Sequence, residues 1–220
     1  MRIAMLGAGL MGSKLGTIFA RAGHEVVFSY SRSRKKLERL AHEAGRRARA
    51  GTPAEAAEGA DVVLLAVHWN QVDDVLSQAS DLSGKLIVTC SLPMDARNTT
   101  LVIGRDSSGA EVLAGKLPKA CVVSAFGTVP SEVLFAVFEA RRRARRPSLV
   151  YCGDEEQAKG VAARLIRDAG FEPEDAGPLR TARYIEPFAL LMGELAYEGA
   201  GGPGLAYQFQ RFDERASLSG

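Results

Sequence analysis

A glycine-rich turn between an apolar run and a helical pattern is the feature that most constrains this chain. Residues 3–6 are apolar, residues 7–12 read GAGLMG, and a second apolar run, residues 26–28, follows the helical pattern. This order predicts strand, tight turn, helix and strand. In such a unit the first glycine permits the turn, the second lets the backbone approach a pyrophosphate, and the third allows close packing of helix on sheet. The turn therefore predicts a dinucleotide site, with the phosphates at a helix N-terminus.

The residues after the second predicted strand indicate which dinucleotide is bound. NAD sites of this type carry Asp or Glu there, which binds the ribose 2′-OH. Residues 29–36 read SYSRSRKK and contain no carboxylate, but they offer hydroxyl groups and four cations. Arginine can bind a phosphate bidentately, and lysine adds a point charge. We therefore predict NADP(H); the alternative is that these cations form only the solvated start of the next helix.

Length and composition limit the class of protein. The chain has 220 residues, of which 46% are hydrophobic and 25% charged, and its net charge is +2. These values are typical of globular proteins and give no overall case for nucleic acid or membrane partners. No apolar run approaches the roughly 20 residues of a spanning helix, and no signal-peptide pattern is present, so we expect a soluble cytoplasmic protein. The three cysteines are predicted to be inert buried thiols, and the histidine spacing predicts no metal site.

Strand and helix patterns alternate along the rest of the chain. They predict an α/β fold, with a Rossmann-type doubly wound parallel sheet and a small C-terminal αβ and helical extension. We predict residues 1–127 as the NADP-binding core and residues 128–220 as a smaller C-terminal part. Asp154 is predicted to cap a helix that runs to residue 169. Residues 179–197 predict a long apolar helix, interrupted by Pro187, that is buried or pairs with a second subunit in a homodimer.

Ligands of doubly wound sheets bind at the carboxyl ends of the strands. Five predicted loops should therefore line one cleft: residues 7–12, 30–36, 67–69, 91–93 and 126–130. Trp69, the only tryptophan, follows the fourth predicted strand, where it could pack on the cofactor or serve only as packing at the rim. His68 could donate a proton, although a lone histidine is more often a partly exposed polar residue.

Several motifs beyond the glycine turn carry a resemblance to a known family. They are Ser31-Arg32, Trp69, VVSAFGTVP at residues 122–130, CGD at 152–154, and DAGPLRTARYIEP at 175–187. On these residues the chain resembles the NADPH-dependent reductases of the 5-deazaflavin coenzyme F-420 and their relatives among dinucleotide-binding NADP oxidoreductases. The resemblance implies hydride transfer between NADPH and a flavin-like acceptor, with coenzyme F-420 as one candidate. In such a reaction the protein places two flat rings face to face and excludes water.

The resemblance also assigns roles by position. It implies that the pyrophosphate is held by Gly9, Leu10, Met11 and Gly12. The 2′-phosphate would be held by Ser31, Arg32 and Lys36. The nicotinamide would be held by Val67, Trp69, Gly127 and Thr128. Gly7 and His68 complete the predicted cofactor-binding set. No catalytic residue is predicted.

Two other hypotheses for the function remain. A hydroxyacid or imine dehydrogenase would need a sizeable helical second domain, for which too few residues remain. An NADPH-binding redox sensor or interaction module without turnover would need no acid or base. The basic run at residues 141–146, RRRARR, could attract the acidic tail of a deazaflavin by electrostatic steering, or it could be a solvated helix end.

Overall fold

The computed structural model describes residues 1–212, and it contains one eight-stranded sheet. The strands lie in the order β3-β2-β1-β4-β5-β6-β7-β8. Their bounds are β1 (Arg2–Leu6), β2 (Glu25–Ser29), β3 (Ala48–Ala50), β4 (Val62–Leu65), β5 (Leu86–Thr89), β6 (Cys121–Ser124), β7 (Ser148–Gly153) and β8 (Glu172–Asp175).

Helices connect most of the strands. Their bounds are α1 (Leu10–Arg21), α2 (Arg34–Ala44), α3 (Pro53–Ala57), α4 (Val72–Gln78), α5 (Gly109–Lys116), α6 (Leu134–Glu139), α7 (Glu156–Asp168) and α8 (Ala182–Tyr197). Short 3₁₀ turns precede α4, α6 and α8, at Trp69–Gln71, Ser131–Val133 and Leu179–Thr181. None of the helices within residues 1–212 is both long and apolar enough to cross a membrane.

The first six strands are parallel and have the order of a Rossmann sheet, which confirms the predicted fold class. The C-terminal strands differ from a wholly parallel sheet. β7 runs antiparallel to β6 through a short ladder, and β8 runs parallel to β7. The extension therefore lengthens the same sheet. The predicted division of the chain at residue 127 stays a prediction.

Two apolar layers cover the two faces of the sheet. Successive side chains of β1 show this directly, since Ile3 and Met5 belong to one buried cluster and Ala4 and Leu6 to the other. The first cluster packs under α1, α2, α6 and α7. The second packs under α3, α4, α5 and the start of α8. Because helices cover both faces of the sheet, the carboxyl ends of the strands are where a ligand can reach it.

Two local predictions were wrong. Asp154 does not cap α7, which begins after Glu155; instead its carboxylate accepts a hydrogen bond from the backbone N–H of Leu179 at 2.9 Å. This bond ties the start of α7 to the 3₁₀ turn before α8. Pro187 does not interrupt α8, because the helix continues through it to Tyr197.

Candidate functional site

The three glycines of the first turn occupy three different environments. Gly7 has φ of +119°, and a Cβ there would lie 2.2 Å from the carbonyl oxygen of Ala66. A Cβ on Gly12 would lie 2.1 Å from the carbonyl oxygen of Gly7. Nothing lies within 4 Å of the Cβ position of Gly9. Gly7 and Gly12 are therefore required by the protein itself, whereas the space beside Gly9 is open to a ligand.

All five predicted loops contribute to one cleft of about 1360 Å³ at the carboxyl ends of the strands. Eleven of the residues predicted to bind the cofactor line it: Gly7, Gly9, Leu10, Met11, Ser31, Arg32, Lys36, Val67, His68, Gly127 and Thr128. β2 and β6, which lead into two of these loops, are four strand positions apart in the sheet, or about 19 Å at the usual spacing. The cleft is therefore long enough for an extended ligand.

Two predicted residues do not line the cleft. Gly12 is a buried residue in the first turn of α1, where it packs against Gly7 rather than facing the opening. Trp69 lies in a 3₁₀ turn and packs, half-buried, against the second apolar cluster. Its neighbours Asn70 and Gln71 line the cleft instead. The structure thus favours the packing role for Trp69 over contact with the cofactor.

The end of the cleft beside β2 is strongly basic, and we call Ser31, Arg32, Arg34 and Lys36 the basic end. The hydroxyl of Ser33 accepts a hydrogen bond from the N–H of Lys36 and so caps α2. Arg34 pairs with a glutamate one turn along the helix. Within residues 1–212, Arg32 and Lys36 form no salt bridge. Their charges remain available to an anion.

One carboxylate lies near the basic end, and no sequence pattern predicted it. Asp74, from α4, accepts hydrogen bonds from the Tyr30 hydroxyl at 2.6 Å and from the Gln78 amide at 2.9 Å. Burial and the hydrogen bond to Asp74 raise the pKa of Tyr30 to about 12, so this phenol stays a donor. Asp74 and Tyr30 both line the cleft, and Tyr30 reaches it from a left-handed conformation, with φ of +58°.

α8 forms the wall at the other end of the cleft, and we call the set Leu190, Met192, Glu194, Tyr197 and Glu198 the α8 end. Small and apolar side chains from the loops after β5 and β6 face it, including Leu92 and Gly127. The hydroxyl of Tyr197 donates a hydrogen bond to the Glu132 carboxylate at 2.9 Å, which joins the end of α8 to the 3₁₀ turn before α6. This end combines an apolar surface with acidic groups at its rim.

Thr128 is held from behind by the C-terminal segment. Its hydroxyl lies 2.8 Å from the hydroxyl of Tyr207, and the N–H of Val150 donates to the same tyrosine oxygen at 2.9 Å. No role was predicted from the sequence for the residues after α8. No local pattern could identify Tyr207, because its position depends on the return of the chain to β7.

The cysteines and the basic run contribute no chemistry to the cleft. Cys152 is buried as predicted, whereas Cys90 and Cys121 are only partly buried. Burial raises the pKa of the Cys90 thiol to about 12, so this cleft-lining cysteine stays protonated at neutral pH. In the part of the chain that the structure describes, no group of three His, Cys, Asp or Glu side chains is placed to hold a metal ion. None of residues 141–146 lines the cleft; Arg142 and Arg143 border a separate, shallow pocket beside α6.

The comparison with protein families agrees with this geometry. Residues 2–93 match the model of the family described as NADP oxidoreductase, coenzyme F-420-dependent. This range contains the glycine turn, the basic end and the loops after β4 and β5. The resemblance predicted from the sequence is thereby confirmed for this part of the chain.

Individual relatives extend over more of the chain. The metalloreductase STEAP3 of Rattus norvegicus is 29% identical over 189 residues, which cover 86% of this chain and 36% of that protein, so the chain spans about a third of that relative. A hypothetical protein from Sinorhizobium meliloti is 27% identical, with a TM-score of 0.74 and 96% coverage of both chains.

Two further solved structures share the fold at lower identity. A candidate F-420-dependent NADP reductase from Arthrobacter sp. FB24 is 24% identical, with a TM-score of 0.83, and the match covers 96% of this chain and all of that one. A reductive aminase from Aspergillus terreus, solved with NADPH, is 18% identical with a TM-score of 0.64, and the match covers 87% of this chain and 60% of the aminase.

Proposed function

We propose that this chain, whose residues 2–93 carry an NADP oxidoreductase domain of the coenzyme F-420-dependent family, transfers hydride between NADPH and a flat two-electron acceptor. NADPH gives a hydride from its nicotinamide C4 and becomes NADP⁺. The acceptor ring takes that hydride, and a proton from solvent completes its reduction. One observation carries the proposal: a single cleft joins a basic end, where Arg32 and Lys36 form no salt bridge within residues 1–212, to an apolar end under α8.

The basic end supports NADP(H) over NAD(H). A 2′-phosphate placed there would meet the Arg32 guanidinium and the Lys36 ammonium group, and no acidic side chain follows β2 directly. Asp74, the nearby carboxylate, already accepts hydrogen bonds from Tyr30 and Gln78, which offset part of its repulsion of a phosphate. The open space at Gly9 and the N-terminus of α1 suit the pyrophosphate.

The α8 end supports a flat, largely apolar acceptor. Leu92 and Leu190 offer apolar contact surface, and Gly127 lines the cleft without a side chain. Flavins and the deazaflavin coenzyme F-420 are the candidates of this shape. Among the described cleft-lining residues, His68 is the one imidazole, and it is exposed. We therefore expect the protein to promote hydride transfer by placing the two rings and excluding water, rather than by proton transfer.

Steady-state oxidation of NADPH and NADH tests this function. Each nucleotide is supplied with coenzyme F-420, FMN, FAD or a quinone in turn, and consumption is followed at the nicotinamide absorbance. We expect turnover with at least one of these acceptors and a strong preference for NADPH. Preference for NADH, or binding of neither nucleotide, would contradict the proposal.

A second candidate is an NADPH-binding sensor or interaction module. The observation that favours it is that the hydrogen-bonded pair of Tyr30 and Asp74 lies near the basic end, and no such pair is found among the described cleft-lining residues of the α8 end. Such a protein would bind NADPH tightly and oxidise it with none of the acceptors. The same assay therefore separates the two functions.

We also propose that the protein acts as a homodimer in the cytoplasm. Tyr184, Leu191 and Leu195 form an exposed apolar stripe along α8, and each is more than half exposed. Their spacing of seven and four residues places them on one helix face, whereas Ala189 and Met192 of the same helix are buried. A second copy would cover this stripe. Sedimentation should give a dimer that Leu191→Lys dissociates, and a wild-type monomer at all concentrations would contradict the proposal.

A further inference from the structure

The C-terminal segment after α8 returns to the sheet and is fixed there by several contacts. The N–H of Ser148, at the start of β7, donates to the carbonyl oxygen of Tyr207 at 2.8 Å. The hydroxyl of Ser148 accepts from the N–H of Phe209 at 3.0 Å. The ring of Tyr207 also packs edge-on against Phe188 of α8, with 5.1 Å between ring centres. The tyrosine hydroxyl is therefore held in a defined position behind the cleft.

The direction of the hydrogen bonds around the Tyr207 hydroxyl follows from which neighbouring groups can donate and which can accept a hydrogen bond. The backbone N–H of Val150 can only donate, so the Tyr207 oxygen accepts there. The tyrosine proton then needs an acceptor, and the Thr128 hydroxyl oxygen at 2.8 Å is its one partner within residues 1–212. Burial raises the pKa of Tyr207 above its usual value, so the phenol keeps its proton at neutral pH.

The hydroxyl of Thr128 is consequently occupied as an acceptor, while its own proton is left to be donated elsewhere. Thr128 is buried, with 1% of its surface exposed, yet it belongs to the lining of the cleft. It lies in the loop after β6. Phe126, near the start of this loop, has a left-handed backbone conformation, with φ of +66°. This loop is part of the cleft that the proposed function assigns to the nicotinamide.

We propose that Tyr207 is a positioning residue that makes Thr128 a hydrogen-bond donor to the carboxamide oxygen of the nicotinamide. The chain of donors runs from the Val150 N–H through the Tyr207 hydroxyl to the Thr128 hydroxyl. A fixed donor at the carboxamide sets the plane of the ring, and hydride transfer requires that plane to face the acceptor. The inference rests on the proposed binding of NADPH, and it adds to the site a residue far from residues 2–93.

Binding measurements with two ligands test the inference without turnover. NADPH carries the carboxamide, whereas adenosine 2′,5′-bisphosphate shares with it only the adenosine, the 2′-phosphate and the 5′-phosphate. Both are titrated calorimetrically into the wild type and into Tyr207→Phe, Thr128→Val and Thr128→Ser. Tyr207→Phe and Thr128→Val should weaken NADPH about three- to tenfold, as expected for one hydrogen bond, and leave the bisphosphate unchanged. Thr128→Ser, which keeps the hydroxyl, should bind both ligands like the wild type.

The possible results distinguish this inference from the proposed function. If the wild type binds neither ligand, the NADPH function fails and the inference fails with it. If the wild type binds both, but Tyr207→Phe or Thr128→Val weakens neither ligand or weakens both equally, the inference alone is overturned. Bisphosphate affinity also reports whether each variant is folded. If Tyr207→Phe does not fold, the comparison of Thr128→Val with Thr128→Ser still tests the hydrogen bond to the nicotinamide.

Discussion

The two ends of the cleft are built in different ways. The glycine turn and the basic end come from one continuous segment, residues 7–36, and the β1-α1-β2 unit positions both of them. The α8 end is assembled from the loops after β5 and β6 and from α8, and the segment around Tyr207 supports it from behind. Local backbone requirements therefore determine the first end, whereas tertiary packing determines the second. Substitutions at the first should act on the nucleotide, and substitutions at the second on packing and the acceptor.

The largest effect is expected at the basic end, from Arg32→Glu. The variant would lose charge-assisted hydrogen bonds to the 2′-phosphate worth about 1.5–3 kcal/mol each and would add repulsion. NADPH affinity should fall at least about a hundredfold, while NADH affinity changes little. Arg39→Glu is the matched control, because Arg39 lies in α2, pairs with Glu43 and does not line the cleft. Equal losses for NADPH and NADH would show that the arginine does not contact the 2′-phosphate.

The second effect concerns the anchoring of α8 and depends on pH. The Glu186 side chain is 3% exposed, and its carboxylate accepts hydrogen bonds from the N–H groups of Gly109 and Ala110 at the start of α5. Burial raises the pKa of Glu186 to about 7, against the opposing effect of these hydrogen bonds. The folded state thus binds the proton more tightly than the unfolded state.

The sign of the pH dependence follows. The stability linked to Glu186 is complete below the unfolded pKa of about 4.5 and is lost as pH rises to about 7. The change amounts to about 3 kcal/mol, at about 1.4 kcal/mol per pKa unit. Glu186→Gln should flatten this part of the curve of unfolding free energy against pH, measured in urea, whereas Glu139→Gln, at an exposed carboxylate, should retain it. An unchanged slope in Glu186→Gln would mean that the buried carboxyl does not titrate in this range.

The same contrast explains how much the sequence could predict. The glycine turn, the cations after β2 and the five loops at the strand ends were predicted, because each follows from residues adjacent in the chain. Trp69 was predicted either to pack on the cofactor or to serve as packing at the rim, and the 3₁₀ turn places it half-buried against the second apolar cluster. Asp74 and Tyr207 were missed because packing of α4 and of the C-terminal segment, rather than any local pattern, brings them to the site.

Two glycines of one turn provide the third prediction. Gly12→Ala should destabilise the fold by about 1–3 kcal/mol, because the new methyl group would overlap the Gly7 carbonyl. Gly9→Ala should leave the melting temperature nearly unchanged, since its methyl group enters open space, but should weaken NADPH at least about tenfold. Gly160→Ala in α7, with nothing within 4 Å, is the control for the helical glycine. Normal NADPH binding by Gly9→Ala would show that the pyrophosphate does not pass this residue.

The smallest effect concerns the charges that an acidic acceptor would meet. Glu194 and Glu198 line the cleft, whereas Arg142, Arg143 and Arg145 do not. With coenzyme F-420 as acceptor, Glu194→Gln with Glu198→Gln should lower the acceptor KM about two- to fivefold at low salt, the range of exposed charge interactions, and salt should remove the difference. Replacing the three arginines by glutamine should change neither the KM nor its salt dependence. Loss of salt dependence in the arginine variant would instead make the basic run the landing site, so the acceptor's charge would be recognised outside the cleft in which its ring is reduced.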